Sequence, residues 1–262
     1  MMRALWTSAS GMLTQQFNMD VLSNNLANVN TSGFKKSRAE FQDLLYEHLR
    51  RAGTIDSMGQ QLPLGVEVGH GAKVSATQKI FTQGDVTNTG NPLDVMVQGQ
   101  GFFQIVMPDG TMQYTRDGSF KADGSGRLVT TDGHPVEPAI TIPPEATGVV
   151  IRSNGQVEIT LPLGQPNQTV GQLMLTRFPN PAGLESVGEN MFAATDASGN
   201  MSEGVPGQEG FGTVAQGFLE ASNVKVVEEM VNLIVTQRAY EVNTKAIQAS
   251  DEMLSQANNL RK

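Results

Sequence analysis

From Val224 to Lys262 the chain contains neither glycine nor proline, and this uninterrupted run constrains the fold more than any other feature. Within it Val226, Leu233, Tyr240, Ile247 and Leu254 recur every seven residues, and Ala239, Ala246, Met253 and Leu260 form a second series beside the first. An apolar residue at every seventh position is the seam of a helix near the 3.5-residue period of coiled coils. Ser222 and Asn223 are suited to cap its start, and Glu228 and Glu229 lie where the helix dipole favours negative charge. The other end of the chain repeats the pattern. Residues 3–29 hold no proline and one glycine, and Leu5, Met12, Met19 and Leu26 are again seven apart.

The middle follows a different period. Residues 92–221 are rich in glycine and carry short runs of strand-like residues, at 93–97, 104–106, 156–161 and 172–175. Asp109-Gly110, Asp117-Gly118, Asp123-Gly124, Asp132-Gly133 and Asn154-Gly155 punctuate these runs. Such pairs between strands signal type I′ hairpin turns, which need positive φ at both central residues. The expected fold is therefore α+β. Long N- and C-terminal helices pack as an antiparallel coiled-coil-like pair, with a central antiparallel β-rich body. By residue, 1–33 and 222–262 form a discontinuous helical assembly domain. Residues 34–75 link it, with an extended stretch at about 46–64, to a β-rich outer domain over 76–221.

Charge follows the same division. Each helical end is neutral, so the formal net charge of −8 belongs wholly to the middle. Two neutral amphipathic helices can pair without repulsion, and the acidic excess argues against nucleic acid as a partner. With no cysteine, neither disulfides nor thiolate chemistry is available. No segment has the roughly 18–20 apolar residues that span a membrane. The apolar start is broken by Thr7, Ser8, Ser10 and Gly11, so no cleaved secretory signal is expected.

Candidates for catalysis are thin. His48, His70 and His134 are isolated from one another and from any HExxH pair. Gly99-Gln100-Gly101 begins like a dinucleotide loop, but Gln104 stands where the third glycine belongs and strand-like residues follow. The acidic, glycine-bearing stretch from Asp117 to Asp123 fails the calcium-loop spacing, because His134 takes the place of the bidentate glutamate. No Gly-x-Ser-x-Gly elbow occurs. Neither an enzymatic activity nor a cofactor or metal is expected.

The string Asn24-Asn25-Leu26-Ala27-Asn28-Val29-Asn30-Thr31-Ser32-Gly33-Phe34-Lys35 is more particular than a helix end requires. Leu26 and Val29 finish the stripe, Asn30 to Ser32 break it, Gly33 frees the backbone and Phe34 anchors the turn. It resembles the N-terminal signature of the flagellar rod and hook protein family. Gln98–Phe103 followed by Tyr114–Phe120, then Gly183–Asn190, and finally Glu220–Val224 leading into Gln237–Asn243 are similar to later segments of that family, in order. Leu44-Leu45-Tyr46, Arg50–Gly53 and Gln61–Gly65 are similar to an extra stretch of its distal rod branch. The family's proximal rod or hook-type subunits are the nearest alternative. A non-flagellar β-rich binding module would share the glycine-rich body but would leave Asn24–Lys35 unexplained.

The resemblance implies a structural subunit of the flagellar basal body, polymerising helically into a rigid tube that transmits torque. Export through the flagellar type III apparatus is implied, as is a rod running from periplasm to outer membrane. The implied partners are further copies of the chain, proximal rod proteins, the hook protein, P-ring and L-ring proteins and a rod cap. The implied assembly residues are Leu5, Met12, Met19, Leu26, Asn28, Phe34, Val226, Leu233, Tyr240, Ile247 and Leu254. The stretch at 46–64 is expected to stiffen the tube by lying across neighbouring copies.

Overall fold

The computed structural model describes residues 2–53, 63–162 and 166–259. Two helices and a β-rich body are present, and the chain divides into two units: Met1–Ala27 with Ser37–Gln78 and Lys225–Lys262, and Asn28–Lys36 with Lys79–Val224. Helix α1 spans Met2–Ala27 and helix α2 Val226–Asn259. The first unit also contains strands β1 (Ser37–Asp43), β2 (Tyr46–Arg50), β3 (Val66–Gly69) and most of β4 (Ala72–Lys79). β1 pairs with β4, and β2 runs antiparallel to β3 with Tyr46 opposite Gly69. Leu44 N donates to Gly71 O at 2.8 Å, continuing one ribbon into the other. From Ser37 on, the stretch read as a link, 34–75, contains paired strands grouped with the helices. Its centre, Thr54–Gly59, lies outside the described residues, as does Leu260 of the second helical series.

The second unit is a β body. Its strands are β5 (Val86–Asn88), β6 (Val95–Gln98), β7 (Phe103–Val106), β8 (Met112–Thr115), β9 (Lys121–Ala122), β10 (Leu128–Val129), β11 (Val136–Glu137) and β12 (Gly148–Ile151). There follow β13 (Gln156–Thr160), β14 (Gln168–Gln172), β15 (Leu175–Arg177), β16 (Glu185–Gly188), β17 (Met191–Ala193), β18 (Ser202–Gly204), β19 (Thr213–Gln216) and β20 (Phe218–Glu220). The largest sheet has the order β11-β7-β8-β17-β16, and a second runs β12-β13-β14. The late strands return to the early ones: β19 pairs with β6 and β20 with β5. The core is apolar, built on Val95, Val97, Phe103, Ile105, Phe120 and Leu175, with Phe103 and Phe120 edge to face at 5.0 Å. A second cluster stacks Phe102, Tyr114, Phe178 and Phe192.

Turns close at three of the five Asp-Gly and Asn-Gly pairs, but they are not the expected type I′ turns, because only the glycine of each pair takes positive φ. Gly110, Gly133 and Gly155 take positive φ, and Gly155 N closes its loop onto Arg152 O at 2.8 Å. Gly118 and Gly124 do not. Gly118 is demanded by close approach, since a Cβ there would run into the Val95 carbonyl. Gly124 faces open space and leaves the positive φ of its loop to Gly126. We expect Gly118→Ala to lower the urea midpoint markedly. Gly124→Ala should raise stability by about 0.4–1 kcal/mol, through the lost freedom of the unfolded chain.

The β body also buries charge. Lys35, Glu220 and Arg116 are almost completely withdrawn from water, and Lys35 Nζ meets Glu220 Oε1 at 2.5 Å. Burial holds the Lys35 pKa below the ordinary lysine value, against the opposing pull of the Glu220 carboxylate. An unfolded lysine titrates near about 10.4, so between the depressed folded value and that point the unfolded chain holds more protons. Stability must rise with pH across that window and lose this slope below it. We expect the urea midpoint to gain from Lys35 as pH rises from neutrality toward 10, and Lys35→Met to show a shallower dependence. Identical slopes would contradict the assignment.

Candidate assembly surface

Polar contacts join α1 and α2. Asn18 Nδ2 donates to Thr236 Oγ1 at 3.0 Å, and Asn25 Nδ2 donates to Glu229 Oε2 at 3.3 Å. Gly11 lies so close to Asn243 that a Cβ would stand 2.9 Å from its Nδ2. Gly11, Asn18 and Asn25 are seven apart, and they meet Asn243, Thr236 and Glu229, also seven apart, in the reverse order. Asn25 additionally donates to Ser37 O at 2.8 Å and accepts from Ser37 N at 2.9 Å, so one buried amide ties both helices to the start of β1. Thr14, Asn25, Glu229, Thr236 and Ser250 are buried. Polar side chains at seam positions fix register and lower stability, because a shifted alignment strands each of them without a partner.

The residues named from the sequence fall around this seam. Leu5, Met12, Met19 and Leu26 are half-buried on α1, as are Leu233, Tyr240, Ile247 and Leu254 on α2. The α2 set alternates, at spacings of four and three, with Glu229, Thr236, Asn243 and Ser250. Val226 is 41% exposed. Asn28 and Phe34 belong to the β body instead. There Asn28 Oδ1 accepts from Thr31 Oγ1 at 3.2 Å, and the Lys79 ammonium lies 5.1 Å from the Phe34 ring centre. Asn223, suggested as a helix cap, turns its side chain to Lys36 N, Ile80 O and Thr82.

Two sets went unread in the sequence. One is the polar series itself, whose seven-residue spacing was visible but carries no apolar signal. The other is an outward apolar face. Val227 is 75% exposed, and Met230, Val231, Ile234 and Val235 are exposed beside it. On α1, Trp6 and Leu13, seven apart, are 73% and 68% exposed. Apolar residues on more than one side of a helix leave the choice of inner face open.

Asn25→Ala would leave Ser37 N, Ser37 O and Glu229 each short of a bond, at about 1–3 kcal/mol for an unsatisfied buried group. We expect the helical circular dichroism signal to melt at a lower temperature in this variant. A melt equal to wild type would mean that the seam does not hold the helices.

Three family profiles match the chain in order. "Flagella basal body rod protein" covers residues 5–35, "Flagellar hook protein FlgE/F/G D1 domain" residues 96–159, and "Flagellar basal body rod FlgEFG protein C-terminal" residues 215–260. The flagellar basal-body rod protein FlgG of Borreliella burgdorferi is 52% identical over 264 residues, covering all of both chains. That of Bacillus subtilis is 37% identical, again over the whole of each. The flagellar hook protein FlgE of Helicobacter mustelae is 44% identical over 139 residues, 52% of this chain and 30% of its own. Full-length identity at this level, with profiles at both helical ends and in the β body, means that the chain belongs to the FlgG family of flagellar basal-body rod proteins.

Proposed function

We propose that this rod subunit polymerises through the outward apolar faces of α1 and α2, which pack as an antiparallel coiled-coil-like pair, into a straight helical tube that transmits torque. The observation that carries the reading is the composition of the helical unit. Among the described residues its only buried hydrophobic side chains are Leu22 and Ala39, while Trp6, Leu13, Val227, Met230, Val231, Ile234 and Val235 stand in water. An apolar face of this extent is covered in a working protein, and the family's self-assembly supplies the cover: other copies of the chain. Leu5, Met12, Met19, Leu26, Leu233, Tyr240, Ile247 and Leu254 support the pair from within, with Val226 at its edge.

The β2–β3 ribbon fits the same scheme. Leu45, Tyr46, Leu49, Leu64, Val66 and Val68 are exposed along it. In the tube this ribbon crosses neighbouring copies and resists the sliding that would let a shaft bend. Proximal rod proteins and the hook protein continue the tube at its ends, and the likeness to a hook protein supports a shared mode of packing. The P-ring and L-ring proteins, the rod cap and the type III export apparatus are the remaining partners. The rod spans periplasm to outer membrane, the subunit leaves the cytoplasm through that apparatus, and the role is structural, not catalytic.

The test is a double substitution on the exposed face, Val227→Asp with Val231→Asp. Both side chains are outside the seam, so the thermal unfolding of the free subunit should stay close to wild type. Burying unpaired carboxylates costs several kcal/mol, repeated at every subunit. Light scattering at rising concentration and electron microscopy should therefore show wild-type tubes and no variant tubes. Normal tubes from the variant would refute this face as the assembly surface.

A further inference from the structure

Three of the motifs that carry the family likeness meet at one buried point. Lys35 ends the N-terminal signature, Arg116 lies in Tyr114–Phe120, and Glu220 and Asn223 open the last motif. Glu220 Oε1 accepts from Lys35 Nζ at 2.5 Å and from Gly84 N at 2.8 Å. Lys35 Nζ also donates to Thr82 O at 2.8 Å. Arg116 Nη1 reaches Glu220 Oε2 at 3.5 Å, and its Nη2 donates to Gly99 O at 2.7 Å. Asn223 completes the set: its Oδ1 accepts from Lys36 N at 2.8 Å, and its Nδ2 donates to Ile80 O at 2.7 Å and Thr82 Oγ1 at 3.0 Å. Main-chain bonds run alongside, from Gly33 N to Glu220 O at 2.8 Å and from Ile80 N to Lys36 O at 2.9 Å.

These bonds join three passages distant in sequence, 33–36, 79–84 and 220–224. Each adjoins a point where the chain leaves the β body for the residues of the helical unit. Two cations and one anion in a dry site are a poor way to gain stability, since well-packed apolar groups of similar volume often do better. What charged, directional bonds supply instead is a single permitted arrangement. A greasy contact lets strands slip by a fraction of a residue; an ammonium shared between a carboxylate and a carbonyl does not.

We propose that Lys35, Arg116, Glu220 and Asn223 form a clamp that holds the three passages as one stem, separable from the β core behind it. The clamp is a property of the free subunit, so its test stands apart from polymerisation. Hydrogen exchange by mass spectrometry is compared in the full-length chain, its Glu220→Gln variant and its Asn223→Ala variant. The first leaves two buried cations without a counter-charge; the second removes hydrogen bonds and no charge. We expect exchange in peptides covering 33–36, 79–84 and 220–224 to speed up at least tenfold in both variants. Peptides covering 156–160, whose Val157 lies in the apolar core, should keep their wild-type rates. Acceleration that spreads equally to 156–160 would make these residues ordinary contributors to one cooperative core and overturn the clamp. So would unchanged exchange in the passages, or a change confined to one of them. Should Glu220→Gln fail to fold, the Asn223→Ala profile decides by the same criteria.

Discussion

Helix α2 turns Glu229, Thr236 and Ser250 inward and leaves Val227, Val231 and Val235 in water. The usual logic of a soluble helix pair is reversed, and most of what the helical unit does follows from that reversal. Hydrophobic burial is the main favourable term in folding. A pair that spends its seam on an asparagine, a threonine and a carboxylate has little of that term within itself. In exchange, the seam specifies alignment. Asn18 finds Thr236 only when Asn25 finds Glu229 and Gly11 admits Asn243. In the proposed assembly the stabilising apolar surface is held back for contacts outside the subunit, while the polar surface decides the geometry in which those contacts are offered.

The β body works the opposite way. Phe103, Ile105, Phe120, Val97 and Leu175 close a dry core inside one copy of the chain, so it needs no neighbour to fold. Its strands are short and its sheets small, but β19 and β20 return to β6 and β5 and thereby enclose the intervening chain. A subunit with one self-sufficient part and one dependent part can remain soluble as a monomer and still gain order when it joins a polymer.

Much of this was legible in the residues. The seven-residue apolar series at each end and the Gly- and Pro-free run after Val224 led to both helices, because helical periodicity is written directly into side-chain spacing. Asn154-Gly155 and Asp109-Gly110 marked where turns fall for an equally local reason, though not their type, since Asn154 and Asp109 do not take positive φ. The failures were non-local. Asp117-Gly118 looks the same as a turn pair, yet its glycine answers to the carbonyl of Val95, more than twenty positions away. Which apolar residues of α2 stay in water depends on what α1 presents, and the exposed set of Val227, Met230, Val231, Ile234 and Val235 went unread. Lys35 read as the end of a motif, since nothing near it in sequence announces that its ammonium will be buried against Glu220. The family likeness was legible as a pattern of letters well before those letters had a physical meaning.

Lys35 and Glu220 are 185 positions apart, and that separation orders events in time. Loop closure over so long a span follows the formation of short-range structure, because contacts distant in sequence are entropically late. The hairpins of the β body, such as β7 with β8, close over a handful of residues. A chain delivered N-terminus first, whether from a ribosome or through a narrow channel, therefore presents α1 and its signature long before their distant partners exist. Only when the last fifth of the chain has emerged can Glu220 reach Lys35 and Glu229 reach Asn25. Completion of the subunit is thereby its own checkpoint: a truncated or half-delivered copy lacks Glu220 and Glu229 and cannot close the contacts that Lys35 and Asn25 await.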